Sequence, residues 1–175
     1  TQFSVTGDKV TGHIVFDDLV ALARFSLFPA DDLTLAALLR SPFCDVDDES
    51  VYALARPRKR RALWDELLAR ADERPEWRAA ADLLSAVQAE ALERRPFEFY
   101  GRVLARHDGA GASMRVRLLR RLGSEAQDAI DEFLAQVLAA EQRGVQDLER
   151  LVAAFATLDI TVKREMEAGR DEVRV

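Results

Sequence analysis

Residues 31–43 read DDLTLAALLRSPF: two acids, then four leucines and two alanines, then an abrupt stop at Ser41–Pro42. An acidic pair ahead of an apolar run is a helix start, because a carboxylate accepts the free amides of the first turn and suits the positive end of the helix dipole. The proline is a helix stop, since it lacks an amide donor and pushes the residue before it toward extended geometry, where a serine hydroxyl bonds nearby backbone. The stretch is therefore a complete short helix with its own punctuation. Leucines and alanines cover nearly every side of it, which predicts a central place in a bundle. The Arg40–Ser41–Pro42 corner reads as architecture without chemistry of its own.

The same punctuation divides the rest of the chain. All five prolines (29, 42, 57, 75 and 96) fall where apolar periodicity breaks. Helices are predicted over 17–28, 31–39 and 47–55, each opening on an Asp-Asp pair that reads as a cap rather than as paired carboxylates for acid/base work. Further helices follow over 61–71, 75–93, 97–106 and 113–122, the last started by Ser113 and ended by Gly123, with Ser124 capping the next. Trp77, Ala80, Ala81, Leu84, Val87, Ala91 and Leu92 form one stripe at helical spacing. The last third carries two more: Ile130, Phe133, Leu134, Val137 and Leu138, then Val145, Leu148, Leu151, Val152, Phe155 and Leu158. The expected fold is an all-α bundle of about nine helices, one domain over residues 1–175, with short extended segments near 10–15 and at the closing DEVRV.

Composition narrows the function classes. A chain of 175 residues can bury a sizeable core without staples. One cysteine, Cys44, excludes an internal disulfide, and two histidines, His13 and His107, give no zinc cluster. Cys44 reads as a small buried hydrophobe. With no long apolar run and no leader layout, a cytoplasmic chain without membrane contact is expected. GDKVTG at 7–12 has the wrong spacing for a triphosphate loop, and neither a nucleophile elbow nor HExxH occurs.

The net charge of -6 argues against a globally basic nucleic-acid binder, but it hides a split. Bases crowd 56–61 (RPRKRR), 94–95 and 115–121 (RVRLLRR). On the helix after Ser113, a 100° step puts Leu118, Leu119 and Leu122 on one side and Arg117, Arg120 and Arg121 on the other. Such a face can follow a phosphate backbone or merely be solvated, and RPRKRR invites the same two readings, with a nuclear localisation signal as a third. The loop Gly109–Ser113 could expose amides to a phosphate, although Ser113 as an ordinary N-cap is the favoured account.

The order of these pieces resembles a known family. Residues 17–55, DDLVALARFSLFPADDLTLAALLRSPFCDVDDESVYALA, resemble the start of the 2B subdomain of UvrD/RecB-like superfamily 1 DNA helicases, most closely the AddA-type helicase-nucleases of double-strand break repair. Leu33, Leu35, Ala36, Leu39, Arg40, Ser41 and Pro42 match the family's "DLxLAxxLRSPL" phrase, with Phe43 where leucine is frequent. Residues 161–175, TVKREMEAGRDEVRV, look like the strand leading into that family's motif V, so the chain is expected to be one piece of a larger helicase. The resemblance implies an ATP-dependent enzyme that unwinds DNA for recombinational repair, with ATP and Mg bound by motor lobes elsewhere in the polypeptide. No catalytic, cofactor-binding or metal-binding residue of the family maps onto this chain. What it implies here is an accessory subdomain that guides duplex DNA or a single-strand/duplex junction, with Arg58, Lys59, Arg60, Arg61, Arg117, Arg120 and Arg121 as the candidate phosphate contacts. The implied partners also include the remaining motor domains and a second helicase-nuclease subunit. The alternative is a helical scaffold that docks a partner subunit and has no direct DNA role.

Overall fold

The computed structural model describes residues 13–56 and 61–157. Within them the chain is all-α: α1 (Ile14–Leu27), α2 (Asp32–Arg40), α3 (Asp48–Ala55), α4 (Leu63–Arg70) with a 3-10 turn (Ala71–Glu73), α5 (Pro75–Glu93), α6 (Pro96–Ala105), α7 (Met114–Leu122), α8 (Glu125–Gln142) and α9 over 148–157. Extended pairing among the described residues is limited to one antiparallel bridge, His107 to Ser113. Of the expected extended ends, residues 10–12 and 171–175 lie outside the described residues, and Ile14 and Val15 already belong to α1.

The two acids of the 31–43 stretch divide their labour. Asp31 caps its own helix, its Oδ1 accepting the amides of Leu33 and Thr34 at 3.1 and 3.2 Å. Asp32 reaches across to α4, where its Oδ1 accepts the amide of Leu63 at 2.7 Å. That helix has no side-chain cap from its own flank. Asp47 caps α3 through the Ser50 amide, and Asp147 opens α9 through the Arg150 amide, both at 2.7–2.8 Å. Pro75 and Pro96 each start a helix at its first turn, where a missing amide costs nothing.

Asp17 and Asp18 behave differently. α1 begins at Ile14, and its cap is the His13 imidazole, which accepts the Val15 amide at 3.2 Å. The acid pair falls about one turn inside the helix. Ser124 likewise makes no side-chain cap for α8.

The Ser41–Pro42 corner is buried. The Ser41 hydroxyl donates to the Leu38 carbonyl at 2.7 Å and accepts the Phe43 amide at 3.2 Å. The chain then turns through Asp45, at φ 53°, and the Val46 amide returns to the Leu39 carbonyl at 2.8 Å. Ser41→Ala leaves the Phe43 amide without its partner inside the protein, so a loss of about 1 kcal/mol is expected, read as a lower urea midpoint at unchanged m-value. An unchanged midpoint would show that the turn holds without the hydroxyl.

Among the described residues the core is one contiguous cluster drawing on each of these helices. Its centre is α1, which buries Val15, Phe16, Leu19, Leu22, Ala23 and Phe25 and packs against α2, α5 and α8. α2 is not the central helix that its composition predicts. Leu35, Leu38 and Leu39 are buried, but Leu33 is 85% exposed and Ala37 faces solvent. A helix of nine residues can turn only one stripe inward when its opposite side has no neighbour. The α5 stripe also stops short of its expected end: Trp77 to Val87 are buried, whereas Leu92 is 88% exposed. At the other end of the bundle Phe16, Tyr100, Phe133 and Phe155 bring α1, α6, α8 and α9 together through mostly edge-on ring contacts.

Candidate nucleic-acid interface

α7 places the arginines. Met114 and Leu118 are buried and Leu119 and Leu122 partly so, which turns Arg117, Arg120 and Arg121 outward together as the 100° step requires. The Ser113 hydroxyl caps this helix by accepting the Val116 amide at 3.3 Å. Its C-terminal end is set by Gly123 at φ 89°, a left-handed backbone that glycine adopts without strain.

Two of these three arginines are already paired, as is Arg115 on the leucine side of the helix. Arg115 bonds Asp131, Arg117 Nε lies 3.9 Å from Asp108, and Arg121 Nη2 lies 3.7 Å from Asp45. Arg120 is exposed at the rim of an open, mostly apolar groove between α7 and α8, lined also by Val116, Leu119, Gln127 and Asp128. Surface pairs of this kind contribute little stability.

The loop before α7 does not offer the phosphate cradle weighed in the sequence. The Asp108 carboxylate accepts the amides of Ala110 and Ala112, both at 2.9 Å, and the Asp108 amide donates to the Ala112 carbonyl at 2.9 Å. Those amides are therefore occupied. The Ala112 and Ala110 bonds, helped by Arg117 and Arg120, hold the Asp108 carboxyl below the usual carboxylate range.

Of the RPRKRR segment, Arg58, Lys59 and Arg60 lie outside the described residues, and Arg61 is exposed just ahead of α4. Its neighbourhood is the start of α2, through the Asp32–Leu63 bond, whereas Arg121 meets Asp45 beyond the end of α2. α2 itself, nine residues at 1.5 Å each, is about 13 Å long. Arg61 and Arg121 thus border opposite ends of α2.

Two features escaped the sequence reading. Asp18 is half-buried, one of its carboxyl oxygens is enclosed without a hydrogen-bond partner, and burial, with Asp17 beside it, pushes its pKa up to about 6. The second is a ladder at four-residue intervals, Glu90, Arg94, Glu98, Arg102 and Arg106, that runs across the α5–α6 break. Arg94 reaches Glu90 at 3.3 Å and Glu98 at 3.2 Å, and Arg102 reaches Glu98 at 3.2 Å. Alternating charge at fixed spacing was the available signal.

Cys44 packs against the core but is only partly buried, less enclosed than a buried hydrophobe would be, and burial pushes its thiol up to about 12. Among the described residues there is no group of three or more His, Cys, Asp or Glu placed to hold a metal ion, and no helix long and apolar enough to cross a membrane. No protein-family profile, curated protein or solved structure gives a significant match to the chain.

Proposed function

We propose that this chain is an accessory helical subdomain of an ATP-dependent superfamily 1 DNA helicase of the AddA type, guiding duplex DNA ahead of a motor that serves recombinational break repair. The observation that carries the reading is the LRSPF corner. The residues that match the family phrase include Leu35, Leu39, Ser41 and Pro42, all buried, and Ser41 makes the hydrogen bonds that close the α2–α3 turn. The likeness therefore falls in part on residues that build the fold, while the matched Leu33 and Arg40 are exposed. The α7 face supports the same reading, since sequence-independent guidance needs arginines on a rigid element and weak ion pairs that a phosphate can replace. ATP and Mg belong, on this reading, to motor lobes elsewhere in the polypeptide, and the setting is cytoplasmic.

A second reading, a scaffold that docks a partner subunit, is favoured by a different observation: Arg115, Arg117 and Arg121 already face carboxylates, and Leu33, Phe28 and Leu92 are exposed apolar side chains. Paired arginines and exposed apolar side chains are both common components of a protein interface.

Fluorescence anisotropy with a labelled duplex carrying a single-stranded tail separates the two. Duplex guidance predicts salt-sensitive binding that weakens about fivefold or more in Arg120→Glu/Arg121→Glu at about 50 mM salt. An absence of binding by the unaltered chain at that salt would remove the DNA reading and leave the scaffold. The family assignment has its own test: a phosphate-loop motif upstream in the same reading frame is expected.

A further inference from the structure

The α5–α6 ladder ends on two successive arginines, Arg102 and Arg106, the second with only a long ion-pair contact. Glu90 is faced by three guanidinium groups: Arg94 at 3.3 Å, Arg102 at 3.8 Å and Arg106 at 3.9 Å. Glu98 serves Arg94 and Arg102, and Glu93 stands 3.8 Å from Arg94. Arg94 and Arg102 therefore have carboxylates within hydrogen-bond reach. Arg106 does not: its Nη2 contact to Glu90 is too long for a hydrogen bond, and its Nε is enclosed with no partner. The enclosed Nε lies out of a ligand's reach, so only the exposed part of the guanidinium is open to one, and alternation along the ladder would put an acid where Arg106 stands. Both Arg102 and Arg106 keep open sides, with side chains 49% and 38% exposed.

A guanidinium presents its donors as a planar fork that matches a phosphate or carboxylate oxygen pair. The place of this fork in the fold selects the phosphate. The Arg106 carbonyl accepts the Met114 amide at 2.8 Å, which ties the ladder's end to the first turn of α7. From Met114 to Arg121 the helix rises about 10 Å, or about three base-pair steps of one DNA strand. A duplex lying along α7 would span those steps, with the ladder's end bonded to the first turn of that helix.

We propose that Arg102 and Arg106 form a phosphodiester-binding patch that continues the α7 face across the 107–113 loop, so that a single duplex engages both. This rests on the DNA-guiding reading above and adds the residues that complete its contact surface.

The test is the same anisotropy titration of the 175-residue chain, run at several salt concentrations with Arg102→Gln/Arg106→Gln, with Arg102→Gln alone and with Arg78→Gln. The last removes one charge, as Arg102→Gln alone does, from the opening turns of α5. The double variant is expected to bind about tenfold more weakly at about 50 mM salt and to lower the salt slope by nearly two, each contact contributing about 0.9. Arg102→Gln, at an exposed position, should lower the slope by about one, and it carries the test if the double variant loses its far-UV CD spectrum. Unchanged slopes in the ladder variants, alongside weakening in Arg120→Glu/Arg121→Glu, would overturn this inference and leave the DNA-guiding reading standing. An equal loss in Arg78→Gln would also overturn it, because net charge alone would then account for the effect. No binding by the unaltered chain would overturn both.

Discussion

Phe133→Ala is expected to lower the stability of this protein by about 4 kcal/mol, measured by urea denaturation at neutral pH. Phe133 is fully buried on α8, and its ring lies 4.8 Å from that of Phe16, 4.7 Å from Tyr100 and 5.4 Å from Phe155. Truncation removes the transfer free energy of the ring and leaves a cavity walled by three large aromatic groups. Those groups sit on α1, α6 and α9, so they cannot close the gap without moving whole helices. Each edge-on aromatic pair adds about 0.5–1.5 kcal/mol beyond area alone, and two such pairs vanish together here. Domains of this size are stable by about 5–15 kcal/mol, so the variant should sit near the edge of folding. Phe28→Ala is the control: Phe28 is 57% exposed, and its removal should change stability by less than about 0.5 kcal/mol. A loss below about 1.5 kcal/mol at Phe133 would mean that the α1–α6–α8–α9 end is much looser than its packing indicates.

Local chemistry made most of the bundle legible. Asp31, Asp47 and Ser113 cap the helices they precede, and Pro75 and Pro96 open theirs, because a cap and its amides are only two or three residues apart. The same rule misplaced the first helix. Asp17–Asp18 looks like the other acid pairs, but His13 supplies an imidazole acceptor four residues earlier, and Val15 and Phe16 are already on the buried face. What was not legible was tertiary. Asp32 caps a helix 31 residues away, and no pattern in sequence announces that bond. Leu33 shows the limit of composition: an apolar residue goes inside only if another element covers its side of the helix. At the candidate site, the 100° step predicted the outward face of α7. Its carboxylate partners come from Asp45, Asp108 and Asp131, on three other segments.

Asp18 gives the second large effect, and its sign follows from linkage. Burial, with Asp17 beside it, raises the folded-state pKa from 3.8 to about 6. The folded protein therefore holds this proton more tightly than the unfolded chain does. The stabilisation that protonation provides is fully present below about pH 4 and is lost as the pH rises through about 6. The full shift corresponds to about 3 kcal/mol at 1.36 kcal/mol per unit. Because Asp18 is only half-buried, solvent screening reduces the expected figure to about 1.5 kcal/mol. Asp18→Asn removes the ionisation and keeps a side chain of the same shape, so it should stabilise the protein by about 1.5 kcal/mol at pH 7 and by almost nothing at pH 4. Urea midpoints for the two proteins at both pH values measure this directly, with other titrating groups cancelling in the difference. Parallel curves, with the same gap at pH 4 and pH 7, would refute the assignment and imply that the enclosed carboxyl oxygen finds a partner in solution. The expected divergence would instead make Asp18 a standing destabilisation at neutral pH, placed on the helix around which the rest of the bundle is built.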